Sequence, residues 1–137
     1  MNKIFKRNIG SLDEIFDFIA EFLTAYRIND QVSFQLKLIV EELFTNTIKY
    51  QPSSKKDISI GLEKADNRII IRIVDSDVEP FDITRTAGVD VNKPLGEKRA
   101  GGLGIHLVKY LVDNIDYTYK DRQSTITLTK ILEQKDV

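Results

Sequence analysis

Between Leu12 and Tyr50 apolar residues recur every three to four positions, and from Asp57 they recur every two. This change of period restricts the chain to folds in which a block of helix is followed by a block of strand. Leu12, Ile15, Phe16, Ile19, Phe22 and Leu23 predict an amphipathic helix running to about Tyr26. Ser11-Leu12-Asp13-Glu14 opens it with the form of a capping box, Ser11 as cap and Glu14 reaching back. Asn29-Asp30 breaks and recaps the chain, and Val32, Leu36, Ile39, Val40, Leu43 and Phe44 form the stripe of a second helix, ended by Tyr50-Gln51-Pro52. Ile58, Ile60 and Leu62 then alternate with polar residues, Ala65-Asp66-Asn67 turns, and Arg68 to Val74 returns as a strongly apolar strand. Ahead of the first helix, the mixed apolar and basic run Lys3 to Ile9 reads as a short strand.

No period survives from Asp75 to Ala100, a stretch that carries Pro80, Gly88, Pro94, Gly96 and the basic pair Lys98-Arg99. About 25 patternless residues are long for a compact domain and predict a lid, a binding loop or disorder; a lid is expected at about 76–101. A third helix starts at Gly101-Gly102-Leu103-Gly104 and carries Ile105, Leu107, Val108, Leu111 and Val112. Ile115 to Lys120 and Ser124 to Ile131 form a second hairpin around Asp121-Arg122-Gln123. Because helices and hairpins come in blocks, the expected class is α+β: a two-layer sandwich with about three helices on one face of a mixed β-sheet. No repeat or second domain is visible, so residues 1–137 are expected to form one domain.

Composition removes several function classes. A chain of 137 residues buries roughly two-thirds of its unfolded surface and needs no disulfide or metal staple. Twenty Lys and Arg against 21 Asp and Glu leave a net charge of −1, which argues against a general nucleic-acid-binding surface. Cys is absent, which excludes thiolate metal sites and cysteine nucleophiles, and the single His excludes sites that need two imidazoles. No run approaches the 18 or so apolar residues of a membrane span, and no signal-peptide pattern opens the chain, so no membrane partner is expected and the setting is expected to be cytoplasmic.

Glu42 and Asn46, four apart on the second helix, project from one side at the edge of its apolar stripe, while Glu41 falls nearly opposite, in water. A carboxylate beside an amide carbonyl suits a proton transfer and a divalent cation such as Mg²⁺, which takes few protein oxygens and fills its octahedron with water and phosphates. The same spacing also arises on ordinary helices. Asp75 ends an apolar strand, where it either starts a turn or accepts a hydrogen bond from an exocyclic amine such as that of adenine. Gly101-Gly102-Leu103-Gly104 enters a helix and is either a hinge or a phosphate cradle, matching neither the dinucleotide nor the Walker A pattern. Lys98 and Arg99 either meet phosphate oxygens or are solvated. His106 reads as structural or lid-contacting.

The order of these signals carries more than any one of them. Val40-Glu41-Glu42-Leu43-Phe44-Thr45-Asn46-Thr47-Ile48-Lys49-Tyr50 resembles the N box of the GHKL ATPases. Ile73-Val74-Asp75 with Pro80-Phe81-Asp82 resembles their first glycine-box region, and Arg99 to Val108 resembles the second. The compact length, Pro-Phe-Asp and Gly-Gly-Leu-Gly-Ile look most like the bacterial anti-sigma factor serine/threonine kinases, over roughly Ser11 to Leu132. The resemblance implies the histidine kinase-like ATPase (Bergerat) fold, ATP and Mg²⁺ as cofactors, and phosphorylation of a STAS-type anti-anti-sigma protein. A sigma factor as client and a homodimer are further implied. Under it, Glu42 would be the general base, Asn46 the Mg²⁺ ligand and Asp75 the adenine-binding residue. Ser124 would assist through water, and Lys98, Arg99, Gly101, Gly102, Leu103 and Gly104 would line the phosphate end. Phosphoryl transfer asks mainly for positioning and charge neutralisation, which such a set can supply. One departure is Asp77, which stands where the family usually has glycine. Two other readings remain: a non-catalytic ATP/ADP-sensing module that acts through lid conformation, and a small ATPase without a protein acceptor.

Overall fold

The helical stripes and the alternating strands meet in one apolar layer. A computed structural model describes residues 1–82 and 100–133. In chain order these form β1 (Asn2–Phe5), a single 3₁₀ turn (Ile9–Ser11), α1 (Leu12–Ala25), α2 (Asp30–Tyr50), β2 (Ile58–Ala65), β3 (Arg68–Ser76), α3 (Ala100–Leu111), β4 (Asn114–Lys120) and β5 (Gln123–Ile131). The strands make a five-stranded sheet of order β1-β2-β3-β5-β4.

The sheet has one dry face. Ile58, Ile60 and Leu62 of β2, Ile69, Ile71 and Ile73 of β3, and Ile126 and Leu128 of β5 are buried at alternate positions. They form one cluster with Ile15, Ile19 and Phe22 of α1, with Leu36, Ile39, Val40, Leu43 and Phe44 of α2, and with Ile105 and Val108 of α3. The two-layer α+β arrangement expected from the sequence is therefore the one observed, with the three helices on one face. The expected mixed sheet is corrected: all four pairings among the described strands are antiparallel. Period-two alternation reports which face a residue takes but not the direction of its neighbour. A sheet with one solvated face is the arrangement antiparallel strands commonly take.

Local chemistry sets the ends of the elements. Asn29 caps α2, its side chain accepting from the Val32 amide at 3.0 Å. The expected capping box at Ser11 does not form. The Ser11 hydroxyl donates to the Lys6 carbonyl at 2.9 Å, and the Asn8 side chain accepts from the Gly10 amide at 2.7 Å, so the 3₁₀ turn takes over the entry to α1. α1 closes without glycine. Arg27 turns left-handed (φ 53), the Ile28 amide reaches the Leu23 carbonyl at 3.0 Å, and the Arg27 amide reaches Thr24 at 3.2 Å. These are the two bonds of a Schellman motif. The lid expected at about 76–101 falls for its greater part at 83–99, outside the described residues; Ser76 still belongs to β3 and Ala100 already to α3.

Candidate functional site

One turn of α2 sets the first pair. Asn46 is buried, Glu42 is half-buried and Glu41 is exposed, as the stripe-edge reading expected. The Asn46 side-chain N–H donates to Glu42 Oε1 at 2.7 Å. With the amide nitrogen so engaged, the Asn46 carbonyl oxygen is the atom chemically suited to a hard cation. Gly104, in the second turn of α3, backs this pair from the other side: a Cβ at Gly104 would fall onto the Glu42 carboxylate. The glycine thus serves close approach, and none of the described glycines has positive φ. Gly101, Gly102 and Leu103 lie in the first turn of α3, and Lys98 and Arg99 lie outside the described residues. Among the described residues no group of three or more His, Cys, Asp and Glu could hold a metal. The donor set here fits a cation shared with phosphates and water rather than one caged by protein.

The second cluster is built on the sheet. Asp75, near the end of β3, stands between Ile58 of β2 and Ser124 of β5 in register, so the Ser124 expected from resemblance is its direct cross-strand neighbour. The Asp75 side chain is 2% exposed and ion-paired with Arg7, whose side chain is 8% exposed. Register explains how a residue so distant arrives. Phe5 pairs with Ile58 and Ile58 with Asp75, so Arg7, two residues past Phe5, passes the end of β2. Its Nε donates to the Lys56 carbonyl at 3.1 Å. Burial pushes the Asp75 carboxyl above its ordinary value, more than the Arg7 guanidinium and the hydrogen bonds pull it down.

The segment following β3 is fastened from three sides. Tyr119 donates its hydroxyl to the Val78 carbonyl at 2.7 Å, and the Tyr117 hydroxyl accepts from the Phe81 amide at 3.1 Å. The Val78 amide donates to the Arg122 carbonyl at 3.1 Å. At the end of α2, Gln51 bonds both backbone groups of Glu79, at 2.9 and 3.3 Å. Tyr50 stacks on Phe81 with ring centroids 5.0 Å apart. Asp77, the departure from the family pattern, is left-handed (φ 58). It takes for itself the conformation that glycine favours, which aspartate tolerates better than most residues, and its carboxylate pairs with Arg122 Nε at 3.2 Å. An open cleft of about 300 Å³ lined by Ser76, Asp77, Lys120, Asp121, Arg122 and Gln123 lies at this hairpin tip. It contains none of Glu42, Asn46 or Asp75.

Sequence reasoning missed Arg7, Gln51, Tyr117 and Tyr119. The tyrosines had a signal: on β4 they share the half-buried phase with Ile115, and a buried phenol needs a hydrogen-bond partner. Arg7 had none.

The order of elements, the one-sided sheet, and the carboxylate–amide turn of α2 define a class. The chain belongs to the histidine kinase-like ATPase domain family, whose match covers residues 5–130. Within that family it is similar to the serine-protein kinase RsbW of Listeria monocytogenes, at 30% identity over 108 residues that take in 74% of this chain and 68% of that protein. RsbW of Staphylococcus aureus is 31% identical over 108 residues, 74% of this chain and 67% of that protein. Among solved structures, a Mycobacterium tuberculosis chain with RsbU and RsbW domains matches with a TM-score of 0.69 at 12% identity, over 96% of this chain and 31% of that one. The SiaB–SiaC complex of Pseudomonas aeruginosa matches with a TM-score of 0.62 at 11% identity, over 96% of this chain and 88% of the other. Likenesses at such identities concern the fold. The chain spans about two-thirds of the RsbW proteins and under a third of the mycobacterial chain. No helix among the described residues is long and apolar enough to cross a membrane.

Proposed function

We propose that this chain is an ATP- and Mg²⁺-dependent protein serine/threonine kinase of the anti-sigma factor type, working as one domain over residues 1–137. The observation that carries the reading is the Glu42–Asn46 pair, hydrogen-bonded at 2.7 Å with Gly104 against the carboxylate. It sets a proton acceptor beside an amide oxygen on a rigid helix turn. Bound Mg²⁺ would supply neutralisation of phosphate charge at the Asn46 oxygen. Glu42 orients the acceptor hydroxyl and takes its proton as the oxygen bonds to the γ-phosphorus and the bond to the bridging oxygen breaks, leaving ADP. Asp75 accepts from the adenine amino group, with Ser124 beside it. The first turn of α3, including Gly101, Gly102 and Leu103, together with Lys98 and Arg99, serves the phosphate end.

The partner belongs to the same proposal. A STAS-type antagonist is the phosphoacceptor, a sigma factor is the sequestered client, the chain pairs as a homodimer and the setting is cytoplasmic. Similarity to two RsbW serine-protein kinases supports the first of these, and the match to a SiaB–SiaC complex is in keeping with a protein-binding role. Asp77, with φ 58, holds a left-handed backbone of the kind that glycine adopts freely.

The deciding experiment incubates the chain with γ-labelled ATP, Mg²⁺ and a candidate STAS protein, with Glu42→Ala alongside. Label on a serine or threonine of the STAS protein, lost in the variant, is the expected result. Nucleotide-dependent binding without label transfer would leave only a sensing module, and steady phosphate release without an acceptor would mark a plain ATPase.

A further inference from the structure

The Arg7–Asp75 ion pair has no part in phosphoryl transfer, yet it leaves two buried charged groups without a hydrogen-bond partner among the described residues: Arg7 Nη1, a donor, and Asp75 Oδ2, an acceptor. Both side chains are more than nine-tenths buried, at 8% and 2% exposure. Arginine and carboxylate frequently close through two parallel bonds. Here the contact runs through Nη2 and Oδ1 alone, and Nε is taken by the Lys56 carbonyl. Buried polar groups are rarely left unsatisfied, and those that are call for an explanation; a ligand that supplies one donor and one acceptor would be one.

We propose that Arg7 is a base-reading residue which, together with Asp75, recognises the 6-amino group of a purine and the ring nitrogen next to it. This rests on the reading of Asp75 as the base-binding residue and adds to it the donor half of the recognition. Asp75 Oδ2 accepts from the exocyclic N–H, and Arg7 Nη1 donates to N1 or N7, according to the edge presented. The pair also works against guanine. On its N1 edge guanine can offer O6 and N1–H to the same two atoms, but its 2-amino group is then left without the second carboxylate oxygen, because Oδ1 is held by Arg7; on its N7 edge it sets O6, an acceptor, against Asp75 Oδ2. An unmatched polar group in a buried site is the strongest basis for rejecting a near-isostere.

Calorimetry with Mg²⁺ tests this on the unsubstituted chain, using ATP, GTP, 1-deaza-ATP, 7-deaza-ATP and purine riboside triphosphate, which lacks the amino group. The expected result is that one deaza analogue, GTP and the riboside analogue each bind roughly 10-fold or more weakly than ATP, while the other deaza analogue binds like ATP. In Arg7→Met the deaza penalty disappears and the penalty for the missing amino group stays. If both deaza analogues bind as ATP does, Arg7 does not read the base. If Arg7→Met weakens every nucleotide by one common factor, its role is structural and the proposal is overturned. A different failure, in which purine riboside triphosphate matches ATP in the unsubstituted chain, removes the base reading of Asp75 itself and takes this inference with it.

Discussion

The two ends of the candidate site are made in different ways. Glu42 and Asn46 are four residues apart on one helix and bond to each other directly. Asp75 meets Arg7 across 68 positions of sequence and has Ser124 beside it only because β3 and β5 are in register. One end is fixed by helix geometry, which any stable α2 supplies. The other is fixed by the assembled sheet. A local cluster tolerates change elsewhere in the molecule, whereas an assembled one is sensitive to whatever alters strand pairing or the β1 exit.

The largest expected effect lies at the helical end. Glu42→Ala should lower phosphate transfer by roughly 10²- to 10⁴-fold, as general-base loss usually does, while nucleotide affinity measured by calorimetry holds. If affinity falls as far as turnover, the carboxylate belongs to binding and the functional division between the two ends breaks. Gly104→Ala comes next. The new methyl would displace the end of the flexible Glu42 side chain while alanine gains about 1 kcal/mol of helix propensity over glycine. Thermal stability should hold or rise while transfer drops on the order of 100-fold through a misplaced base. A variant that keeps full activity would show that Gly104 does not set the Glu42 position.

At the sheet end the effect is one of pH. Burial raises Asp75 above the ordinary carboxylate value, so the folded chain holds a proton there more tightly than the unfolded chain does. That contribution to stability is complete below the unfolded value, about 3.9, and is lost as pH rises through the higher folded one. The stability of Asp75→Asn relative to the parent should therefore improve with rising pH across that range, read by chemical denaturation at stepped pH. A flat difference would mean that Arg7 cancels the burial effect. The smallest expected change is Asp77→Gly. Relief of the left-handed backbone opposes loss of an exposed ion pair to Arg122. The melting temperature should shift by a few degrees at most, with nucleotide affinity unchanged; a large loss of affinity would give the Asp77 carboxylate a part in binding.

The same division explains what could be read from sequence. Both helices of the first block and the Glu42–Asn46 edge follow from a 3.6-residue period, and the cap of α2 from Asn29-Asp30. The hairpins follow from alternation and polar turns. The direction of the β1–β2 and β3–β5 pairings did not follow, because alternation is blind to it. The Ser11 capping box failed because Asn8 and the Lys6 carbonyl offered nearby competing bonds. Asp75 could be picked out as a strand-end carboxylate, but Arg7 sits in no periodic pattern and acquires its role from register alone. Asp77 could be seen as unusual, yet its left-handed backbone and its pairing with Arg122 emerge only in the structure.

That β3 pairs along its length with both β2 and β5 has a bearing on the time course of folding. The β3–β5 pairing joins segments distant in sequence, and contacts of that kind close late. If Asp75 and Arg7 read the base as proposed, any opening that parts β3 from β5 while α2 persists would spare the helical pair and abolish selectivity among nucleobases, so selectivity should be lost no later than any other property as the chain unfolds.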